Sequence, residues 1–532
     1  MSLENSSSPL RIPFIAAVCL TLLLIYKLFI FPYFLSPLAK IPNAHPLSPF
    51  TSLWILWVRF VHRENRTVQR AHEKFGPIVR LAPNELSINC VDEGIRTIYA
   101  GGYEKTDWYT VFRNYGDVPN MFSTLDTKPH SVRKRMLSNV YSKSFLHSSP
   151  AMNAISANVF DTRFLPMLEN ASRTSTPVEV HDVWEALALD IITAYIFGRS
   201  VSSDFLHEQA QFEEYLFNYY SRHEYTFYAQ EIPAFTAWLQ KIGIKLVPDV
   251  TSIANEKLHS RCLRWCDAAR QTVIRHEKEG SIYADPANEP VVFSKLYKAM
   301  ITSNDDLEYE NSRLDIASEL FDHLSAGFET TGIAMTYITH HLSAQPHIQR
   351  KLREELLTMP SSDKPSAKDI DTLPLLNAII METLRVQPSI PGAQPRITPI
   401  SGASLVGCPN IPAGVRVNAQ AYSLHRNPEV FPDPLEWHPE RWIPNPNDSL
   451  ADREAMAARY RWFWAFGSGG RMCVGKNFAM NEMKLTLAAV YSRYTTSIVD
   501  DAGIEQTDGY TAHPKNKRLV LKFDRVEEAP AH

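Results

Sequence analysis

FGSGGRMCVG, residues 466–475, is the stretch on which the reading of this 532-residue chain turns. Gly467, Gly469 and Gly470 precede Cys473, Gly475 follows it, and KNFAMNEMKLTLAAV then reads as a helix. Glycines allow sharp turns and a close approach of backbone to a flat ligand. A cysteine near a helix N-terminus, beside Arg471 and Lys476, has its thiolate favoured by nearby positive charge and by the helix dipole. GRMCVGKN (470–477) also approaches the phosphate-cradling pattern of glycine, four residues, Gly-Lys-Ser/Thr. It fails at Asn477, which has no hydroxyl for magnesium. The 57 residues after Gly475 are also too few for the strand–helix units that would complete a nucleotide-binding sheet. A thiolate in a loop that can press against a planar macrocycle suits axial ligation of haem iron instead.

Working outward, SELFDHLSAGFETTGIAMTYITHHL (318–342) reads as a long helix with a weak point at Gly327 and Thr330. Ala326, Glu329, Thr330 and Ile333 are spaced i, i+3, i+4, i+7 and are expected to share a face, which combines a small gap, an acid and an alcohol. Residue chemistry alone fits either a kinked core helix or a site for a small ligand and a proton-delivering water. In METLR (381–385), Glu382 and Arg385 are neighbours on one side of a helix, and PERW (439–442) holds Arg441 downstream. GAQPRI (392–397) carries Arg396, and DTKPHSVRKRMLSNVYS (126–142) carries His130 and Lys134 on a basic helix.

These segments, in this order, resemble the cytochrome P450 family. FGSGGRMCVG matches its haem-binding signature at Phe466, Gly469, Arg471, Cys473 and Gly475. AGFETT resembles its oxygen-activation motif, METLR its Glu-x-x-Arg pair, and PERW its Pro-Glu-Arg-Phe segment, with Trp442 in place of Phe. The resemblance implies a mainly α fold with small β-sheets around haem b, with Cys473 as the iron's thiolate ligand, Phe466 screening the sulfur and Ala326 lining the haem pocket. It implies that Arg471 and Arg396 meet the haem propionates, together with His130 and Lys134, or Arg133 or Arg135 in place of Lys134. Glu329 and Thr330 become the acid–alcohol pair that delivers protons. Glu382, Arg385 and Arg441 become a buried structural triad.

The N-terminus adds a membrane call. IPFIAAVCLTLLLIYKLFIFPYF (12–34) is almost continuously apolar and, at about 1.5 Å per residue, long enough for a hydrocarbon layer of about 30 Å. Its length and the lack of a small-residue cleavage site favour an anchor over a signal peptide. Residues 1–11 are then a lumenal tail, 12–34 one transmembrane helix, 35–49 a stiff proline-rich hinge and 50–532 the catalytic body. Lys40, Arg59, Arg63, Arg66 and Arg70 after the span place that body in the cytosol, on the endoplasmic reticulum membrane. LWILWV (53–58) reads equally as an interfacial or a core helix. Strands are expected over 77–89, around 397–406 and over 518–523.

Composition limits the partners. Fifty-four Lys+Arg against 58 Asp+Glu leave a formal charge of -4, which argues against nucleic acid. Six irregularly spaced cysteines argue against a disulfide scaffold or a paired-CxxC zinc site, and Cys262 and Cys266 read as buried packing. The resemblance implies hydroxylation or epoxidation of a hydrophobic small molecule, with electrons from NADPH through a partner NADPH–cytochrome P450 reductase and cytochrome b5 as a further helper. Lys476 and Lys484 are expected to offer the reductase a cationic face. Residues 110–125 and 205–250, rich in Phe and Tyr, are expected to roof the pocket. Phrases such as IPNAHPLSPFTSLW resemble fungal enzymes of secondary metabolism and point to a terpenoid or polyketide-type substrate. A haem-thiolate isomerase or dehydratase, which needs neither oxygen nor reductase, and a haem sensor are the rivals; the intact Glu329–Thr330 pair disfavours both.

Overall fold

A computed structural model of the chain describes residues 11–280, 283–301, 306–359 and 366–526, so all but the last residue of the expected lumenal tail lies outside the described part. Helix α1 (Arg11–Ile25) runs on in wider turns through Tyr26–Leu35. Pro13–Leu35 is long and apolar enough to cross a membrane, and none of it is buried against the body. The following segment is not the extended spacer its prolines predicted. It folds as successive turns, Leu38 and Ile41 are buried in a body cluster, and Ala44 donates its amide to the Arg80 carbonyl. Burying two aliphatic side chains favours these turns over a solvated rod. The guanidinium of Arg80 also donates to the Pro32 carbonyl, pinning the end of the apolar helix.

Helix α2 (Leu53–Phe60) carries LWILWV with one face in the core and an apolar face exposed. Ile55 and Val58 pack inward, whereas Leu53, Trp57 and Phe60 are exposed. Strands β1 (Ile78–Ala82) and β2 (Glu85–Ile88), within the expected strand stretch 77–89, pair antiparallel. Next come α3 (Thr127–Leu137), β3 (Val178–Glu179), α4 (Val180–Phe197), α5 (Gln209–His223), α6 (Asp249–Glu279) and α7 (Asp306–Ala344). Helix α8 (Pro374–Val386) leads to β4 (Arg396–Ile397), β5 (Ala403–Leu405), β6 (Cys408–Ile411) and β7 (Arg416–Asn418). Helix α9 (Lys476–Tyr491), β8 (Tyr494–Asp500) and β9 (Val520–Arg525) close the described chain. The strands form sheets ordered β1-β2-β7-β4, β3-β9-β8 and β5-β6.

The main core is helical, with α7 lying along α4. Gly332 makes that approach possible, because a Cβ there would stand 2.6 Å from Cγ of Glu185. Helix α7 is continuous through Gly327 and Thr330. Cys262 and Cys266 are fully buried on α6, as packing residues.

Helix α9 carries a buried acid, Glu482, whose two carboxylate oxygens have no hydrogen-bond partner among the described residues. Desolvation holds its pKa well above the ordinary carboxylate value. The folded state therefore binds a proton that the unfolded chain releases near pH 4.5, and stability falls as pH rises from there towards the folded pKa, by about 1.4 kcal/mol per pH unit. Glu482→Gln is expected to remove this loss. Its thermal midpoint should exceed the wild type's by a margin that widens with pH, and identical pH profiles would refute the assignment.

Candidate active site

One cavity of about 1120 Å³ gathers most of the residues singled out by sequence. The Cys473 loop supplies Phe466, Arg471, Cys473 and Gly475; α7 supplies Ala326, Gly327, Glu329 and Thr330; α3 supplies His130. Gly469 does not line it but shapes the loop. Its φ is +71°, and any side chain would collide with the Tyr99 carbonyl, so this turn holds Arg471 against the neighbouring segment.

Cys473 is enclosed by protein, yet its sulfur is open to the cavity. Desolvation raises its pKa, while the amides of Gly475 and Lys476 and the ammonium groups of Lys134 and Lys476 favour the thiolate. The amide of Cys473 donates to the Phe466 carbonyl at 3.0 Å, and Lys476 stands over the Phe466 ring. Lys134 is a correction. Its ammonium donates to the carbonyls of Gly470 (2.9 Å) and Met472 (2.8 Å), so it braces the cysteine loop, and it does not line the cavity. The alternatives are engaged as well: Arg133 pairs with Asp315 and Glu319, and Arg135 donates to the Ser131 carbonyl.

A cationic cluster forms without them. Arg396 is buried, donates to the Tyr109 hydroxyl at 2.8 Å, and pairs backbone to backbone with Lys105. Lys105 is also buried and lines the cavity beside the rings of Tyr109 and Phe122, donating to the Phe122 carbonyl. Desolvation first, then Arg396 and Arg471, drive its pKa well down. Desolvation and the same cations push His130 down to about 3. Arg471 donates to the carbonyls of Thr124 and Leu125 and pairs with Glu104 at 3.3 Å. Among the described residues neither Lys105 nor Arg396 has a carboxylate within salt-bridge reach. Lys105, His130 and Arg471 line the cavity, while Arg396 does not line it but is paired to Lys105 through the backbone; such a cluster calls for anionic groups, so the site fits a haem that brings an iron to Cys473 and two carboxylates to this cluster. Sequence reading missed Lys105, a lone lysine in GGYEKTDW that only strand pairing brings to Arg396.

On α7 the expected face is partly corrected. Ala326, Glu329 and Thr330 line the cavity, but Ile333 is fully buried in side-chain packing away from it. The Thr330 hydroxyl donates to the Ala326 carbonyl at 2.8 Å, and Ser389 donates to the Thr330 carbonyl at 2.7 Å. Glu329 does not open towards bulk solvent. Tyr219 of α5 donates to its Oε2 at 2.9 Å, and burial raises the acid's pKa against the opposing effects of Tyr219 and Lys517. The acid is thus disposed to hold a proton. Neither Tyr219 nor Lys517 carried a sequence signal for this role.

The triad assembles outside the cavity. Glu382 Oε1 accepts from Arg385 (2.8 Å), Arg441 (2.9 Å) and the His438 amide (3.0 Å), and Oε2 accepts from Arg385 (2.9 Å). Trp442 is more than an aromatic replacement, because its indole N–H donates to Oε2 at 2.8 Å. Lys484 is a second correction. It is buried and bonds Asp371 at 2.9 Å, so it offers nothing to a docking partner.

The upper wall matches the expected segments in part, through Phe112, Asn114, Phe122 and residues 217–230; the loop 507–517 adds Tyr510, His513 and Lys517.

A family profile described as Cytochrome P450 matches residues 46–521. The chain is 30% identical to cytochrome P450 monooxygenase avaI of Aspergillus versicolor over 79% of its own length and 96% of the relative's. It is 25% identical to cytochrome P450 monooxygenase hkm5 of Aspergillus hancockii, over 92% and 91%. It is 28% identical to the N-acetyltryptophan 6-hydroxylase ivoC of Emericella nidulans, over 93% of each.

Proposed function

From the premise that this chain belongs to the cytochrome P450 family and is a monooxygenase, we propose that it hydroxylates or epoxidises a hydrophobic secondary-metabolite intermediate of terpenoid or polyketide type. The work is done at a membrane, with electrons from NADPH through a partner reductase. The observation that carries this reading is the shared cavity of the Cys473 sulfur and the Glu329–Thr330 pair, beside a cationic cluster in which Arg471 pairs with Glu104 and Lys105 and Arg396 have no salt-bridged carboxylate among the described residues. The N-terminal apolar helix, the exposed Leu53, Trp57 and Phe60, and the exposed Phe235 and Trp238 support attachment to the endoplasmic reticulum membrane. The relatives' printed activities, monooxygenase and aromatic 6-hydroxylase, support oxygenation of a small organic substrate.

In this reading Cys473 holds the haem iron, while Lys105, His130, Arg396 and Arg471 hold the propionates. When bound, haem supplies oxygen activation and insertion, and thiolate ligation favours O–O cleavage. The amides of Gly475 and Lys476 favour the sulfur's anion, against the desolvation that raises its pKa. The Thr330 hydroxyl, poised at the cavity wall, can leave the Ala326 carbonyl to hold a water. Glu329 holds the proton that this water passes inward, and Tyr219 keeps the carboxyl in place. Phe112, Phe122 and Tyr510 give the cavity an aromatic, apolar wall.

Membranes carrying the chain, a reductase and NADPH are expected to add one oxygen atom from isotopically heavy oxygen gas to an accepted substrate. Product formed without oxygen or reductase would favour the isomerase class. Because a positioned proton donor is typically worth about a hundredfold or more, Thr330→Ala should cut product per NADPH at least several-fold and release peroxide. Unchanged coupling would remove Thr330 from proton delivery.

A further inference from the structure

We propose that the cavity recognises the carboxylate of an aromatic or otherwise apolar organic acid through Arg222, so that the preferred substrate is an anion at neutral pH. This rests on the monooxygenase reading and adds the substrate's chemical class to it.

Arg222 lies near the end of α5 and lines the cavity. Protein encloses it, so its remaining accessible surface faces the cavity interior. It is held in place from two sides. Its Nη2 donates to Asn114 Oδ1 at 2.7 Å, and its guanidinium lies 4.8 Å from the centre of the Phe321 ring. Asn114 is itself fixed, its Nδ2 donating to the carbonyl and hydroxyl of Ser318 on α7 and its backbone pairing with Val118. The cation is therefore preorganised, which lowers the entropic cost of binding a ligand.

What it lacks is an anion. Among the described residues no carboxylate lies within salt-bridge distance of Arg222, and desolvation pulls its pKa down. The acid whose charge it feels is Asp322, whose own pKa is pushed up to about 7 by burial and whose carboxyl accepts the Phe122 amide. The neighbouring histidines add no negative charge. His223 is held neutral, down to about 3, and its buried Nε2 has no partner; His259 is held down to about 4. Glu329 is occupied by Tyr219. A half-buried, ordered guanidinium with no carboxylate within salt-bridge reach is costly unless something supplies one, and its planar donor fork suits a carboxylate. The cations at Lys105, Arg396 and Arg471 are committed to the haem propionates in the proposed function, and Lys517 lies over the Tyr220 ring within the field of Glu185 and Glu329, which leaves Arg222 for the substrate. Phe321 beside it, with Phe112, Phe217 and Tyr219 in the same cavity wall, suits an aromatic or apolar body.

The test uses the full-length, haem-loaded chain and a panel of arylalkanoic acids (phenylbutyric, naphthylacetic and indolebutyric), each paired with its methyl ester. Binding is read from the haem absorption change and from thermal shift. Wild type should bind the best acid at least tenfold more tightly than its ester. Arg222→Gln should erase that preference while leaving ester binding within about twofold. Asn114→Asp keeps Arg222 but gives it an internal counter-ion, and it should erase the preference as well, which guards against misfolding of the first variant. Absence of acid binding, equal binding of acid and ester, or a preference that survives both substitutions overturns the inference. The reduced, carbon-monoxide-treated spectrum of the same preparations separates the two levels. If its red-shifted band is missing, the haem-thiolate reading fails; if it is present without acid selectivity, only the Arg222 inference fails.

Discussion

Cys473→Ala is expected to lose the red-shifted absorption of the reduced, carbon-monoxide-treated protein, and with it all oxygenation. The cavity converges on that one sulfur: the Gly475 and Lys476 amides and the Lys134 and Lys476 ammonium groups all favour its anion. Among the described residues no group of three or more His, Cys, Asp or Glu could hold a metal ion in its stead. The rest of the fold should tolerate the change. The side chain packs little, and the loop is held by Lys134 on its carbonyls and by the Cys473 amide on Phe466. Far-ultraviolet circular dichroism should therefore stay at the wild-type level while the haem signature disappears. A variant that keeps its spectrum would remove Cys473 as the ligand and the proposed function with it.

Arg385→Met should be the most destabilising single substitution, because it strands buried polar groups on several sides. Arg385 is fully buried and, besides Glu382, donates to the carbonyls of His425 (3.0 Å), Pro434 (2.7 Å) and Glu436 (2.8 Å). Removing one partner of such a pair costs about 3–5 kcal/mol, a large part of the roughly 5–15 kcal/mol by which a domain is stable. The expected result is little folded, haem-loaded protein at 37 °C and a strongly lowered thermal midpoint at lower temperature. Arg441→Met should cost less, since part of its guanidinium reaches the Pro432 carbonyl at the exposed edge. Replacing Glu382 and Arg385 together by apolar residues should cost less than the sum of the two single changes, because no charge is then left buried alone. Additive losses would show that the two residues do not act as a unit.

Residues within one loop or a few helical turns were legible before any coordinates. The Cys473 decamer, the Glu382–Arg385 spacing and the neighbours Ala326, Glu329 and Thr330 depend on covalent proximity and the 3.6-residue turn, which the chain carries in its own order. Helical periodicity also announced a mainly α body. It gives only a broad arc of burial, however, and so neither the place of Ile333 on the face of Glu329 and Thr330 nor the exposure expected of Lys484 holds: both are buried away from the cavity and from solvent. The hinge failed for a related reason, since proline content marks turns and rods alike until Leu38 and Ile41 find a core to enter.

Partners that meet across the fold were silent in the sequence. Lys105 joins Arg396 through a bridge between distant backbone segments, Tyr219 reaches Glu329 from a different helix, and Arg222 is left without a counter-ion only because of what the assembled walls do not contain. Motif spacing settles which atoms are tethered to one another. Which charges end up paired, buried or uncompensated is settled only when separate elements pack, because desolvation and Coulomb energy depend on the finished surroundings and not on position along the chain.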